Sequence, residues 1–207
     1  VLLLVIFAAG LSCADASSEP VIIGVPLPLT GDLEEFGMIM KNSFEMARES
    51  VNKAGGINGR PIKIVFADDL GDVDATAYVF SKLVTASKSV MLVGGYASDP
   101  TYQMAKKAEK KNVPFLICTA SADKITQRGW KNIFRMNPPI SEYTRGLEDF
   151  WIKSAMPRSM AILYEDSMFG TDGALRMMDF CRDHLVELSA YINYNKNKLT
   201  PVYLRSK

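Results

Sequence analysis

The chain has 207 residues, 48% of them hydrophobic, with 24 basic side chains against 23 acidic ones. That length fits one large domain or two small ones. The near-neutral charge excludes the basic stripe of a nucleic-acid binder and gives no polybasic membrane patch.

Residues Val1 to Leu11 form an apolar run, and Ser12, Cys13, Ala14, Asp15 and Ala16 follow. This reads as the apolar region of a secretory signal, residues 1–16, with Ala14-Asp15-Ala16 as the cleavage site. It is shorter than the ~20 residues of a membrane span. Gly10-Leu11-Ser12-Cys13 also resembles a lipoprotein signal that would lipidate Cys13, although Gly10 is a poor fit to it. Cys118 and Cys181 read as buried, unpaired thiols without metal-ligand spacing.

Short apolar runs and helical stretches then alternate. Val21 to Leu27 is a strand. Phe36 to Ala54 carries Met40, Phe44, Ala47 and Val51 on one helical face, and Gly55-Gly56-Ile57-Asn58-Gly59 stops it. Ile62 to Ala67 is a strand. Asp72 caps a helix to about Ser87, with Ala75, Val79, Leu83 and Ala86 inward. Val90 to Val93 is a strand, and Asp99 caps the next helix with Pro100 at its first position. Val113 to Cys118 and Ile133 to Met136 are strands, with a short helix Asp123 to Arg128 between them. After Asn137-Pro138-Pro139, Ser141 starts a helix that Met156-Pro157 ends. Strand Met160 to Tyr164, helix Thr171 to about His184 and strand Leu188 to Tyr194 complete the pattern. This is an α/β chain with parallel sheet and right-handed crossovers. It divides into a complete first lobe, 17–140, and the start of a second, 141–207.

Two strand-to-helix turns concentrate the chemistry. Gly94-Gly95-Tyr96-Ala97-Ser98 offers backbone without bulk, a hydroxyl and a helix start. Thr119-Ala120-Ser121 places two hydroxyls on one side if extended. Ligands of open α/β sheets bind outside the carboxyl ends of the strands. The same turns also read as ordinary helix caps. Thr30 to Gly37 reads as a rim loop with Phe36 as an apolar wall, or as a solvated loop with Phe36 in the core. Asp69 to Asp74 lacks calcium-loop spacing and reads as a solvated turn and cap. No catalytic or metal set emerges. Ser98 is not in a G-x-S-x-G elbow, and His184, the lone histidine, sits in a polar stretch.

The ordered motifs Thr30-Gly31 with Phe36-Gly37, Asn52 to Gly59, Asp68-Asp69 and Ile125-Thr126-Gln127-Arg128-Gly129 resemble the leucine/isoleucine/valine-binding group of type I periplasmic solute-binding proteins. The resemblance runs from about Val21 to at least Leu188. It implies a two-lobe clamp with a complete first Rossmann-like lobe and a second lobe cut short. It implies an extracytoplasmic protein of an ABC importer that binds an amino acid or related small carboxylate or amide. The partner it implies is a membrane permease; no cofactor, nucleic acid or enzymatic activity is implied. Carried over by residue, Ser98 would hold the ligand carboxylate by hydroxyl and backbone. Thr119 and Ser121 would contact carboxylate and ammonium, Tyr96 would line the cleft wall, and Phe36 and Phe169 would be aromatic cleft positions, one on each lobe. Both aromatic positions are often Tyr in branched-chain binders, so two hydroxyls are missing here. A ligand-sensing module of a receptor or regulator would share the fold. A hydrolase using Ser98 is a third reading, without a base to serve it.

Overall fold

The computed structural model describes residues 19–195. The signal segment, Cys13 and everything after Asn195 lie outside the described residues. Five strands make the first sheet: β1 (Val21–Leu27), β2 (Ile62–Asp68), β3 (Met91–Gly94), β4 (Phe115–Ile117) and β5 (Ile133–Arg135). All are parallel, in the order β2-β1-β3-β4-β5. A second, two-stranded parallel sheet pairs β6 (Ser159–Glu165) with β7 (Glu187–Tyr194). The helices are α1 (Glu34–Lys53), α2 (Thr76–Phe80), α3 (Ser98–Lys110), α4 (Arg145–Ser154) and α5 (Met168–Asp183).

Strand composition explains the first core. Val25, Leu27, Leu92, Phe115 and Ile117 are fully buried, and Val79, Leu83, Ala105 and Ala108 pack against the sheet. Full burial of such side chains stabilises by about 1.5–3 kcal/mol each. A smaller cluster of Phe180, Cys181 and Val186, with Trp151 and Met160 against it, supports the second sheet. Cys118 is half-buried and Cys181 buried, and both are free thiols. Burial pushes each thiol up from its ordinary range.

Several local expectations are corrected. Asp72 does not cap a helix. Its carboxylate accepts from the Asp74 amide within a turn, and α2 starts only at Thr76. After α2 the chain winds wider over Ser81–Ala86, and Ser87 donates back five residues to Lys82. Such a π turn takes an extra residue, so Ala86 rotates out to solvent while Val79 and Leu83 stay inside. On α1, Ala47 is exposed, and Gly37 is the buried residue. Helix α3 begins two residues early, at Ser98 after Ala97, and Asp99 lies within its first turn. Pro100 is tolerated there because first-turn amides have no intrahelical partner. Asp123–Ile125 forms only a 3₁₀ turn, since the Asp123 carboxylate is occupied by the Ser141 amide and hydroxyl. Ser141 itself lies in a short 3₁₀ turn, Ile140–Glu142, and α4 starts only at Arg145. Helix α5 begins three residues before Thr171, at Met168, because Ser167 accepts from the Gly170 amide as its cap.

Helix α1 leaves β1 through a close approach at Gly37. A β-carbon there would sit 1.7 Å from the carbonyl oxygen of Pro28. Gly37→Ala is therefore expected to cost about 1–3 kcal/mol by overpacking, although alanine is ordinarily the better helix former. Urea unfolding checks this, and an unchanged or raised midpoint contradicts the close approach.

Strand β2 ends in two carboxylates with opposite surroundings. Asp68 loses to burial but gains more from the Thr30 hydroxyl and the Leu70 and Leu29 amides, which hold its carboxyl below the usual range. Asp69 is 3% exposed. Burial pushes its carboxyl from 3.8 up to about 6; the Gly71 amide opposes the rise and the Asp68 charge adds to it. The folded chain thus keeps this proton to about pH 6, whereas the unfolded chain loses it near 3.8. The contribution of Asp69 to stability falls as pH climbs through that window and then levels off. Asp69→Asn, which retains an acceptor for Gly71, is expected to flatten that part of the pH profile. Unfolding midpoints of the two proteins between about pH 4 and pH 7 give the comparison; parallel profiles would contradict it.

Candidate functional site

The turns after β3 and β4 lie side by side because their strands pair, Gly94 opposite Ile117. The ladder continues past the strands: Cys118 donates to the Gly94 carbonyl and Ala120 to that of Gly95. Gly95 has φ +78°, and a β-carbon there would meet the Thr101 side chain at 2.8 Å. A side chain larger than hydrogen would be both strained and crowded at this bend. The hydroxyl of Ser98, at the start of α3, accepts from the Ala122 amide at 3.2 Å. One bond thus ties the first turn to the second.

These turns floor a cavity of about 720 Å³. Tyr96, Ser98, Thr119 and Ser121 line it, and so does Phe169 from α5. The structure therefore brings five of the six expected site residues to one cavity. Phe36 stands behind rather than in the lining. Its ring stacks on Tyr96 at 5.2 Å and 16°, and it is 46% exposed. Burial raises the Tyr96 phenol above its ordinary value. Thr119 donates its hydroxyl toward Met40 Sδ at 3.5 Å, while Ser98 and Ser121 are buried. No group of three or more His, Cys, Asp or Glu residues among the described residues is arranged to hold a metal.

The sequence reading passed over part of the wall. Tyr143 lines the cavity and meets Phe169 edge-on at 6.4 Å. Glu165, Asp166 and Ser167 at the end of β6 line it too, as do Leu70, Gly71, Asp72 and Val73 after β2. The Asp69–Asp74 turn, read as solvated, thus contributes to the lining. The signal was present: both stretches follow parallel strands at their carboxyl ends, as the two glycine and hydroxyl turns do. Asp99, expected as a helix cap, instead accepts from the Met168 amide at 3.1 Å and so joins α3 to α5. A second link runs from Lys124, whose amide and ammonium face the Asp172 carboxylate at 3.4 and 3.8 Å.

A family model described as periplasmic binding protein matches residues 20–205. Among curated proteins, "Leu/Ile/Val-binding protein homolog 3" of Brucella melitensis is 28% identical over 166 residues, covering 80% of this chain and 45% of the relative. A Streptococcus pneumoniae branched-chain amino acid transporter substrate binding protein, solved with isoleucine, superposes with a TM-score of 0.77 at 23% identity. It is covered to 53%, and this chain to 90%. An ABC transporter solute binding protein of R. palustris, solved with benzoate, superposes with a TM-score of 0.78 at 21% identity, over 90% of this chain and 52% of that one. These two structures establish the fold. The chain spans about half the length of the relatives it matches. With a family model matched along nearly all of its length, this α/β chain belongs to the periplasmic binding protein family.

Proposed function

We propose that this chain is the ligand-holding part of an extracytoplasmic substrate-binding protein of an ABC importer. It takes an amino acid of the branched-chain type, or a related small carboxylate or amide, between two lobes, residues 17–140 and 141–207. It delivers the ligand to a membrane permease and performs no chemistry on it. The observation that carries this reading is the convergence of Ser98, Thr119 and Ser121 with Phe169 on one cavity, at the start of α3. First-turn amides and hydroxyls stabilise an anion without a buried countercharge. The Phe36 and Tyr96 stack and the Phe169 ring supply apolar walls that select for bulk. Relatives named for leucine, isoleucine and valine, and neighbours solved with isoleucine and benzoate, support a small carboxylate.

Isothermal calorimetry of the full-length protein against amino acids, aromatic acids and amides tests this. At least one small carboxylate or amide is expected to bind. Ser98→Ala and Ser121→Ala are each expected to weaken it roughly tenfold to hundredfold, the worth of a hydrogen bond to a charged group. Silence across the panel, or binding indifferent to both substitutions, would defeat the assignment.

A further inference from the structure

Helix α1 backs the two hydroxyl turns. Phe36 and Met40 stand four residues apart on it and so share a face. Each meets a residue of the cavity. The Phe36 ring stacks on Tyr96, with centroids 5.2 Å apart. The Thr119 hydroxyl donates to Met40 Sδ at 3.5 Å, across 79 residues of sequence. Tyr96 and Thr119 line the cavity, while Phe36 and the half-buried Met40 stand outside its lining. Gly37, next to Phe36, presses the start of the helix against the Pro28 carbonyl and so fixes where this face sits.

The bond to sulfur decides what Thr119 can do. A hydroxyl has one hydrogen to donate and two lone pairs that accept. Thr119 gives its hydrogen to Met40, so toward a ligand its oxygen can only accept. Its carbonyl accepts from the Asn137 side-chain amide at 2.9 Å, which holds the backbone and leaves side-chain rotation for Met40 to fix. Ser98 is set the other way. Its oxygen accepts from the Ala122 amide at 3.2 Å, and its hydrogen remains for a ligand. The cavity thus offers a donor at Ser98 and an acceptor at Thr119. A plain carboxylate, which only accepts, satisfies the first and meets lone pairs at the second. A carboxylate with an ammonium beside it satisfies both.

We propose that Met40 is a positioning residue: by taking the Thr119 hydrogen it fixes Thr119 as an acceptor and so selects α-amino acids over the same acids without the amino group. This rests on the binding reading above and narrows it. The test is calorimetry of the full-length protein with two matched pairs, leucine against isocaproate and phenylalanine against hydrocinnamate. Each pair differs only in the α-amino group. The unmodified protein, Met40→Leu, Thr119→Val and the double variant are compared. Leucine nearly fills the methionine volume but offers no acceptor. The unmodified protein is expected to bind at least one amino acid about tenfold or more tighter than its partner acid. Met40→Leu is expected to lower that preference about threefold to tenfold, the range of one hydrogen bond. Once Thr119 is replaced by valine, Met40→Leu should lower it no further, since the two positions act as one unit. A merely structural Met40 would weaken both members of a pair alike, and an unmoved ratio overturns the proposal. A fall of the same size in the Thr119→Val background would overturn Thr119 as the intermediary. No preference for either amino acid, or no binding by any of the four, would overturn the donor and acceptor assignment; the wider panel above then decides the binding reading separately. Should Met40→Leu fail to fold, Thr119→Val decides: an undiminished preference there counts against the proposal.

Discussion

The register between β3 and β4 is the constraint on which the site depends. Gly94 lies opposite Ile117, so both chains leave the sheet at the same level and continue to hydrogen-bond beyond it. Parallel strands force their connections to cross over the sheet and return, which leaves every carboxyl end on one edge. The order β2-β1-β3-β4-β5 then places the turns after β3 and β4 side by side at that edge. The bond from the Ala122 amide to Ser98 Oγ completes the tie. Without that register, Ser98 and Ser121 would belong to separate caps rather than to one cavity.

Burial follows from the same arrangement. The central strands carry Leu92, Phe115 and Ile117 into the first core, while α3 and the α2 segment cover them. The small residues Ala105 and Ala108 let α3 lie close. Helix α1 offers no such face; apart from Gly37 its residues are half-buried or exposed, and it is anchored at its start by the contact with Pro28. The outer end of β2 carries a penalty as well as packing, since Asp69 is buried as a carboxyl group beside the Asp68 carboxylate. Buried acids near a strand terminus bend loops through their amide bonds, here to Gly71, and so shape the segment that lines the cavity.

Much of this was legible in residue order, for identifiable reasons. Short apolar runs alternating with 3.6-residue spacing mark β1 to β4 and α1, although on α1 the spaced residues Met40, Phe44 and Val51 are only half-buried and Ala47 is exposed. Ser98, Thr119 and Ser121 stood out because small hydroxyl residues gather at two adjacent strand ends, although the same pattern also reads as helix caps, and the cavity they share became visible only in the fold. The failures have physical causes too. Asp72 and Asp99 stand where a helix cap would, but each spends its carboxylate elsewhere, on a turn amide and on Met168 across to the second sheet; Asp123, the first residue of the expected short helix, accepts from Ser141. Side-chain competition for amides over distances of 69 or 18 residues leaves no periodic trace. The same holds for the π turn at Ser81–Ala86, which sends Ala86 outward against its spacing. Glu165 and Tyr143 escaped notice because the reading sought hydroxyls and glycine, not acids and rings, at the strand ends.

Under the proposed reading, a cavity lined from the ends of both sheets would make binding and the spacing of the sheets one equilibrium. A ligand shifts that equilibrium only by its differential affinity for the two arrangements. Two links already join the sheets without any ligand, Asp99 to the Met168 amide and Asp172 to Lys124. Both pair a carboxylate with a backbone donor, and the second is partly exposed through Lys124, so each contributes modestly and reversibly. Under the proposed reading, a ligand held at Ser98 and Ser121 on one side gains further selectivity from what it touches on the other. On that reading, Glu165, Asp166, Tyr143 and Phe169, which line the cavity from the side of the second sheet, are the residues that would discriminate between ligands, and the hydroxyl turns those that would hold an anionic end.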